Sequence, residues 1–436
     1  MKRFKQVIEW LLIIFTFLIP WQARWIYETA MVNGTVWQYG TRAIYATEIL
    51  LGLVIILGIV FVGGRIKAKK QESKKATNKR NVVIAIFIIL GFLGNALLAY
   101  NVELALYKLT YLILAVALTF LFIVIKPNFL KISWAVVLAG LIQSAFAINQ
   151  FIAQRVIGDT YLGMADQTTE TLGAPVILLS DGTRWLRSFG TLPHPNILAG
   201  FLLISLFFII GLIVLTKNKK HQKLLPLIFV VNFIGLITTA SRAAIVAFAI
   251  GIILLSFFAA KDKILTKQTT KFVFISIFIL ILFAVSFPEL IKSRLDNNNR
   301  LEQISSSSRV EQYQEFGQVI KSNFIVGVGL GNYTYYQQLQ NPELSGYQLQ
   351  PIHNSFLLII AELGIIGVAT VLAFLYYLFY SIKNFKKWET NQIITFSAII
   401  ALTITATLDH YLWDFWFGMS LLAIILAISF IKNNQE

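Results

Sequence analysis

Apolar runs of about 17 to 25 residues, the length that carries a helix across a bilayer, recur from one end of this chain to the other. Twelve such spans are expected, at 6–20, 42–62, 81–100, 108–125, 132–152, 196–215, 224–240, 243–260, 272–288, 354–380, 393–408 and 417–431. The fold class that follows is all-α: a polytopic membrane protein with about 12 transmembrane helices, forming one integral membrane domain over residues 1–436. Composition agrees, since 57% of residues are hydrophobic and 13% charged, whereas soluble domains are about half apolar and a quarter charged. No soluble domain is left over. The opening Met1-Lys2-Arg3-Phe4-Lys5 and the apolar run behind it resemble a signal peptide, but no small-residue cleavage site follows at Pro20-Trp21-Gln22, so the run reads as a retained first span.

A net charge of +16 would suggest nucleic acid in a soluble protein. Here the basic residues sit in short links between apolar runs, where they set topology. With twelve spans both termini share a side, and 25 of the 37 Lys and Arg fall in the segments of that side, eight of them in 63–80. The positive-inside rule therefore places both termini in the cytoplasm. It places two long connections outside, 153–195 with 43 residues and 289–352 with 64. Within the second, Ser308-Arg309-Val310-Glu311 has capping-box spacing, and Val310, Tyr313, Phe316, Gly317 and Ile320 follow at helical period. The expectation is a large exterior loop containing short amphipathic helices.

Three basic residues on the exterior side stand where helices are expected to begin. Arg242 follows Thr238-Thr239-Ala240-Ser241, which reads as a tight turn with Ser241 as N-cap; Arg309 follows Ser308; His353 follows Gln350-Pro351-Ile352. A cation there opposes the helix dipole unless an anion shares the site, while free N–H groups beside an arginine suit phosphate. Headgroup snorkelling is the plain alternative for both arginines. His353 at such a position should be neutral near pH 7, which suits a general base, although a histidine hydrogen-bonded at the interface would look the same. His194, in Pro193-His194-Pro195-Asn196, is expected to cap the sixth span.

Other chemistry is poorly supported. The stretch Val326-Gly327-Val328-Gly329-Leu330-Gly331-Asn332 lacks the strand and the Lys-Ser or Lys-Thr of a nucleotide loop, and reads as a compact turn bringing backbone close to a ligand. The exterior segments carry no Asp-x-Asp or His-Glu-x-x-His, and with no cysteine there is no thiolate site. The expectation is thus no metal and no cofactor. Trp21, Trp25, Tyr27, Trp37, Tyr39 and Trp185 either stack on sugar rings or form an interfacial aromatic belt.

Taken in order, several motifs resemble the O-antigen ligase and Wzy-type polymerase superfamily. They are Arg187-Ser188-Phe189-Gly190 leading to His194-Pro195-Asn196, then Thr239-Ala240-Ser241-Arg242, then Arg309 followed by Gly327-Val328-Gly329-Leu330-Gly331-Asn332-Tyr333, and finally His353-Asn354-Ser355-Phe356 with Ala361-Glu362-Leu363-Gly364-Ile365-Ile366-Gly367. The resemblance implies a GT-C-like membrane glycosyltransferase of the bacterial cytoplasmic membrane. It would take a glycan from an undecaprenyl-pyrophosphate donor to an acceptor hydroxyl, inverting and without metal. By the same resemblance Arg242 and Arg309 hold the pyrophosphate and His353 is the base, with Arg187, His194 and Asn354 as further donor or glycan contacts. The partners implied are the lipid-linked donor, a glycan, lipid or protein acceptor and the bilayer. A polysaccharide polymerase and a protein O-oligosaccharyltransferase fit the same residues. A transporter or lipid flippase, the more distant alternative, also fits twelve spans, but 63–80 lacks a Gly-Asp-Arg-Gly-Arg-type transporter signature and a 64-residue exterior loop is unusual for a carrier.

Overall fold

The computed structural model describes residues 1–70, 79–260, 262–296, 300–380 and 389–431; the middle of the basic link 63–80 and the run Asn297–Asn299 lie outside these. In chain order the helices are α1 (Lys2–Leu18), α2 (Ala46–Lys70), α3 (Lys79–Leu97), α4 (Val102–Ile125), α5 (Phe129–Ala153), α6 (Pro195–Leu215), α7 (Lys219–Thr238), α8 (Arg242–Phe258) and α9 (Lys263–Ser286). Then come α10 (Pro288–Leu295), α11 (Arg300–Asn323) and α12 (Tyr333–Gln340), followed by α13 (Ser355–Tyr380), α14 (Thr390–Ala406), α15 (Tyr411–Asp414) and α16 (Trp416–Ile428).

A helix stands at each of the twelve expected positions, but the expected count of spans is not reached by length and apolarity. Among the described residues seven helices qualify, namely α4, α5, α6, α7 and α9 with stretches of α2 and α13. Helices α8, α14, α16 and Ile88–Leu97 of α3 are shorter apolar helices, and α1 carries Lys2, Arg3, Lys5 and Glu9 in its first half. Helix α6 forms the centre: it is apolar on every face, and 94% of its most apolar stretch is buried. It packs against α5, α7, α9 and α14. Helix α9, longer and less apolar than α6, has only 22% of its most apolar stretch buried and belongs to the rim.

The chain is mostly helical, as expected, and among the described residues its connections also carry eight short strands paired into four antiparallel two-stranded sheets. Arg24–Glu28 pairs with Arg42–Tyr45, so the second apolar helix begins at Ala46 and not at residue 42. Inside the first long connection, Val176–Leu178 pairs with Arg184–Leu186 across the turn Ser180-Asp181-Gly182-Thr183, where Gly182 takes the left-handed φ of +85°. A short turn with a left-handed glycine fixes the register of the hairpin it closes.

All these connections meet at one end of the bundle. Thr191 Oγ1 donates to Pro20 O at 2.8 Å, Ser188 N to Thr238 O at 3.2 Å, Gly346 N to Val32 O at 3.3 Å, and Ser355 N to Asp409 O at 3.1 Å. The glycine-rich stretch belongs to this scaffold. Gly327 (φ +75°) and Gly364 (φ +58°) face each other so closely that a Cβ on Gly327 would stand 2.4 Å from Glu362 O, and one on Gly364 2.5 Å from Gly327 N. Gly364 kinks α13 there, and Val328 N and Gly329 N donate to the carbonyls of Ala361 and Glu362. The expected turn therefore exists, and its backbone packs closely on α13 and, at Gly329 and Gly331, on Ala99 and Lys108.

Helix α11 corrects a further expectation. It is 24 residues long and starts at Arg300, so Ser308-Arg309-Val310-Glu311 lies inside it and caps nothing. Serine costs only about half a kcal/mol per residue in a helix interior, so four in a row do not force a start.

Candidate active site

The turn between α7 and α8 is tight, as its sequence suggests. Ala240 adopts φ +50°, which costs a non-glycine residue about 1–2 kcal/mol, and two arginines brace the turn. Arg294 of α10 donates through Nη2 to Ala240 O at 2.6 Å, and Arg242 donates through Nη1 back to Arg294 O at 2.9 Å. Ser241 occupies the N-cap position but its hydroxyl makes no capping bond. Arg187, arriving from the hairpin strand Arg184–Leu186, donates through Nε to Thr239 O and through Nη2 to Asn196 Oδ1, both at 2.7 Å.

His353 is placed by α11. Its backbone N–H donates to Gln312 Oε1 at 3.0 Å, and the same oxygen lies 3.1 Å from its ring Nδ1. A backbone N–H only donates, so the Gln312 atom facing it is the carbonyl oxygen, and Nδ1 must carry the ring proton. That tautomer leaves Nε2 with its lone pair. Arg309 and Gln312 are one turn apart on α11, which sets them on the same face. Burial, with His410 and Arg309 nearby, lowers the His353 pKa to about 4. The expected neutrality is present, but its main cause is burial and not a helix terminus. His353 stands two residues before α13, whose N-cap is Asn354: its Oδ1 accepts from Phe356 N at 3.0 Å and Leu357 N at 3.1 Å.

His194 caps α6 as expected, its Nδ1 accepting from Asn196 N at 3.2 Å. Its neutral ring then carries its proton on Nε2, the opposite tautomer to His353. Burial takes its pKa down to about 3. Asn196 in turn donates through Nδ2 to Asp409 Oδ2 at 2.9 Å, and Asp409 Oδ1 accepts the N–H of His410 at 2.8 Å. Burial opposes ionisation of Asp409, yet His410 and the neighbouring donors hold its pKa below the usual carboxylate range. For His410 burial also opposes the charge, but Asp414, 3.5 Å from its Nδ1, and Asp409 raise its pKa. Asp414 is itself paired with buried Lys108 at 3.1 Å.

These residues surround a cavity of about 280 Å³ lined by Arg187, Arg242, Arg294, Arg309, His194, His353, Asn196 and Asp409. Every sequence-predicted site residue except Asn354 is on this wall. The sequence reading missed Arg294, which nothing distinguishes from neighbouring Lys292 and Arg300, and Gln312, one of several loop glutamines. It also missed Asp409, for which a signal existed: an acid between two apolar runs is costly in a membrane and marks a candidate site. Of the six aromatic candidates, Tyr39 lines one of the cavities described here; Trp37 stacks on Tyr335, and Trp185 packs on Phe151 and Phe287. Among the described residues no group of three or more His, Asp or Glu is set to hold a metal ion.

Fold and site together define a multi-pass membrane protein with an arginine-lined cavity at the loop-bearing end of its bundle. Residues 227–372 match the family described as O-antigen ligase. A curated protein of Rickettsia typhi named "Putative polysaccharide ligase" is 27% identical over 243 residues, covering 53% of this chain and 58% of that protein. Both findings support the O-antigen ligase superfamily, the one its motifs resemble. The matched family segment contains Arg242, Arg294, Arg309, Gln312 and His353, whereas Arg187, His194 and Asp409 lie outside it.

Proposed function

We propose that the protein transfers a glycan from an undecaprenyl-pyrophosphate donor to an acceptor hydroxyl at the outer face of the bacterial cytoplasmic membrane. The observation that carries this reading is the charge of the cavity: four guanidiniums face one carboxylate, with both lining histidines held neutral by burial. Four guanidiniums gathered in the lining of one cavity suit a multivalent anion. Arg242 and Arg309 are assigned to the pyrophosphate, with Arg187 and Arg294 holding the turn that presents Arg242. In the transfer, the acceptor oxygen attacks the anomeric carbon and forms the new C–O bond. The bond from that carbon to the pyrophosphate oxygen breaks, and the electron pair leaves with the pyrophosphate. The acceptor proton passes to His353 Nε2. Arginines in place of a divalent cation stabilise the growing negative charge. A single displacement inverts the anomeric configuration.

Ligation to a lipid-linked core is the leading acceptor chemistry, with chain polymerisation and protein O-glycosylation as its variants. In a deletion strain, mass spectrometry of envelope glycans and their carriers is expected to show full-length chains stranded on undecaprenyl pyrophosphate. Shortened surface chains would instead mark a polymerase, and precursor trapped on the inner leaflet would overturn the transferase reading in favour of a flippase.

The orientation belongs to the same proposal: 153–195 and 289–352 outside, 63–80 and both termini inside, from the basic-residue asymmetry. Single cysteines placed in this cysteine-free chain test it in intact cells. An impermeant thiol reagent should label position 305 and spare position 75; the reverse pattern would contradict the orientation.

A further inference from the structure

A second cavity, of about 470 Å³, adjoins the first, and His194, His353 and Asp409 line both. Those three side chains therefore form a partition with an arginine-lined chamber on one side. The other chamber has different chemistry. No Lys or Arg is among its described lining residues; its walls carry the amides of Gln38, Gln167 and Gln350, the Tyr39 phenol and the rings of Phe189 and Phe415. His410 also lines it, but the carboxylates of Asp409 and Asp414 flank that ring. A phosphate here would face Asp409 without an arginine to offset the repulsion.

Amides offer donors and acceptors together, as sugar hydroxyls require, and aromatic rings offer apolar faces to the C–H surface of a pyranose. The Gln350 amide is held in place: Tyr39 Oη donates to Gln350 Oε1 at 3.0 Å, and Gln350 Nε2 donates to Tyr347 O at 2.9 Å. The volume falls in the range of small-ligand pockets, about 300–1,000 Å³. From this juxtaposition we infer that the second cavity is the acceptor subsite and that it recognises an uncharged sugar terminus, presenting its hydroxyl across the partition to His353. Any phosphate carried by the acceptor lies outside it. This inference rests on the proposed transferase reading. It places acceptor choice largely on Gln38, Tyr39, Gln167 and Phe189, which lie outside the family-matched segment 227–372.

The test uses the full-length protein in detergent with undecaprenyl-pyrophosphate glycan as donor. Two acceptor probes are compared: envelope glycan freed of lipid and phosphate by mild acid, and the same glycan with its lipid phosphate retained. The phosphate-free glycan is expected to accept, and Gln38→Ala and Gln350→Ala should each raise its KM about 3-fold to 10-fold, the size of one lost hydrogen bond, while donor KM stays within twofold. Gln38→Arg should weaken use of the neutral probe further. Acceptance of the phosphate-bearing glycan alone, transfer only to protein hydroxyls, or variants that alter donor KM and leave acceptor KM unchanged would each overturn the inference. If the wild type released no undecaprenyl pyrophosphate with either probe, the failure would lie in the transferase reading itself.

Discussion

Replacing His353 by Ala is expected to slow transfer about 100-fold to 10,000-fold, the usual worth of a positioned general base, while the protein still binds its lipid-pyrophosphate donor. The separation follows from the geometry. Gln312 holds the Nδ1 proton of His353, so Nε2 is the basic atom, and the donor charge falls to the arginines that line the same cavity. A histidine that merely filled an interfacial hydrogen bond would cost only about 1 kcal/mol, less than tenfold. The pH profile adds a sign. The base works when neutral, so the wild-type rate should hold across the neutral range and fall only as pH drops towards the depressed pKa of about 4. Gln312→Ala should lose part of the rate and move that fall to higher pH, because a less constrained and better solvated imidazole protonates more easily. His194 is not an equivalent base, since its Nδ1 already accepts the Asn196 N–H. Loss of donor binding in His353→Ala with an unchanged maximal rate would assign His353 to the donor instead.

Arg242→Ala and Arg309→Ala are expected to lower kcat/KM for the donor about 10-fold to 150-fold each. A hydrogen bond to a charged group is worth about 1.5–3 kcal/mol, and each 1.36 kcal/mol is tenfold in rate. Because both guanidiniums would grip one pyrophosphate, the double variant should lose less than the product of the two single effects. Lysine keeps the charge but not the planar fork, so Arg→Lys should recover only part of the loss. Steady-state kinetics at matched protein levels checks this, and wild-type turnover by both alanine variants would mean that these arginines only snorkel to headgroups. Activity should also persist in EDTA, because in the proposed transfer the arginines would take the place of a divalent cation.

Much of this site was legible from the chain. Arg242 and His353 stood out through helix-boundary logic, because a turn of Thr, Ala and Ser between two apolar runs has few other structures. Arg309 was found for a wrong local reason, since it lies within α11 and reaches the cavity through the face it shares with Gln312. The hairpin of 24–28 with 42–45 was missed because its strands are short and run directly into apolar helix, so the hydrophobic run hides the boundary. Gln312, Arg294 and Asp409 are contributed by separate elements that meet only after folding. Their roles come from bonds to His353, Ala240 and Asn196, each more than 40 residues away, and no local pattern encodes these. Left-handed glycines show that something comes close but not what: beside Gly327 it is Glu362 and Gly364 of α13, beside Gly329 it is Ala99 and beside Gly331 it is Lys108.

In the proposed reaction this cavity breaks a sugar–pyrophosphate bond. Purified protein supplied with an undecaprenyl-pyrophosphate glycan and a hydroxyl-bearing envelope glycan tests it when free undecaprenyl pyrophosphate and the acceptor's mass are followed together. One undecaprenyl pyrophosphate is expected to be released for each glycan added to the acceptor, in the wild type and not in His353→Ala. Donor that stays intact under these conditions, or crosses a reconstituted bilayer with its glycan still attached, would contradict it.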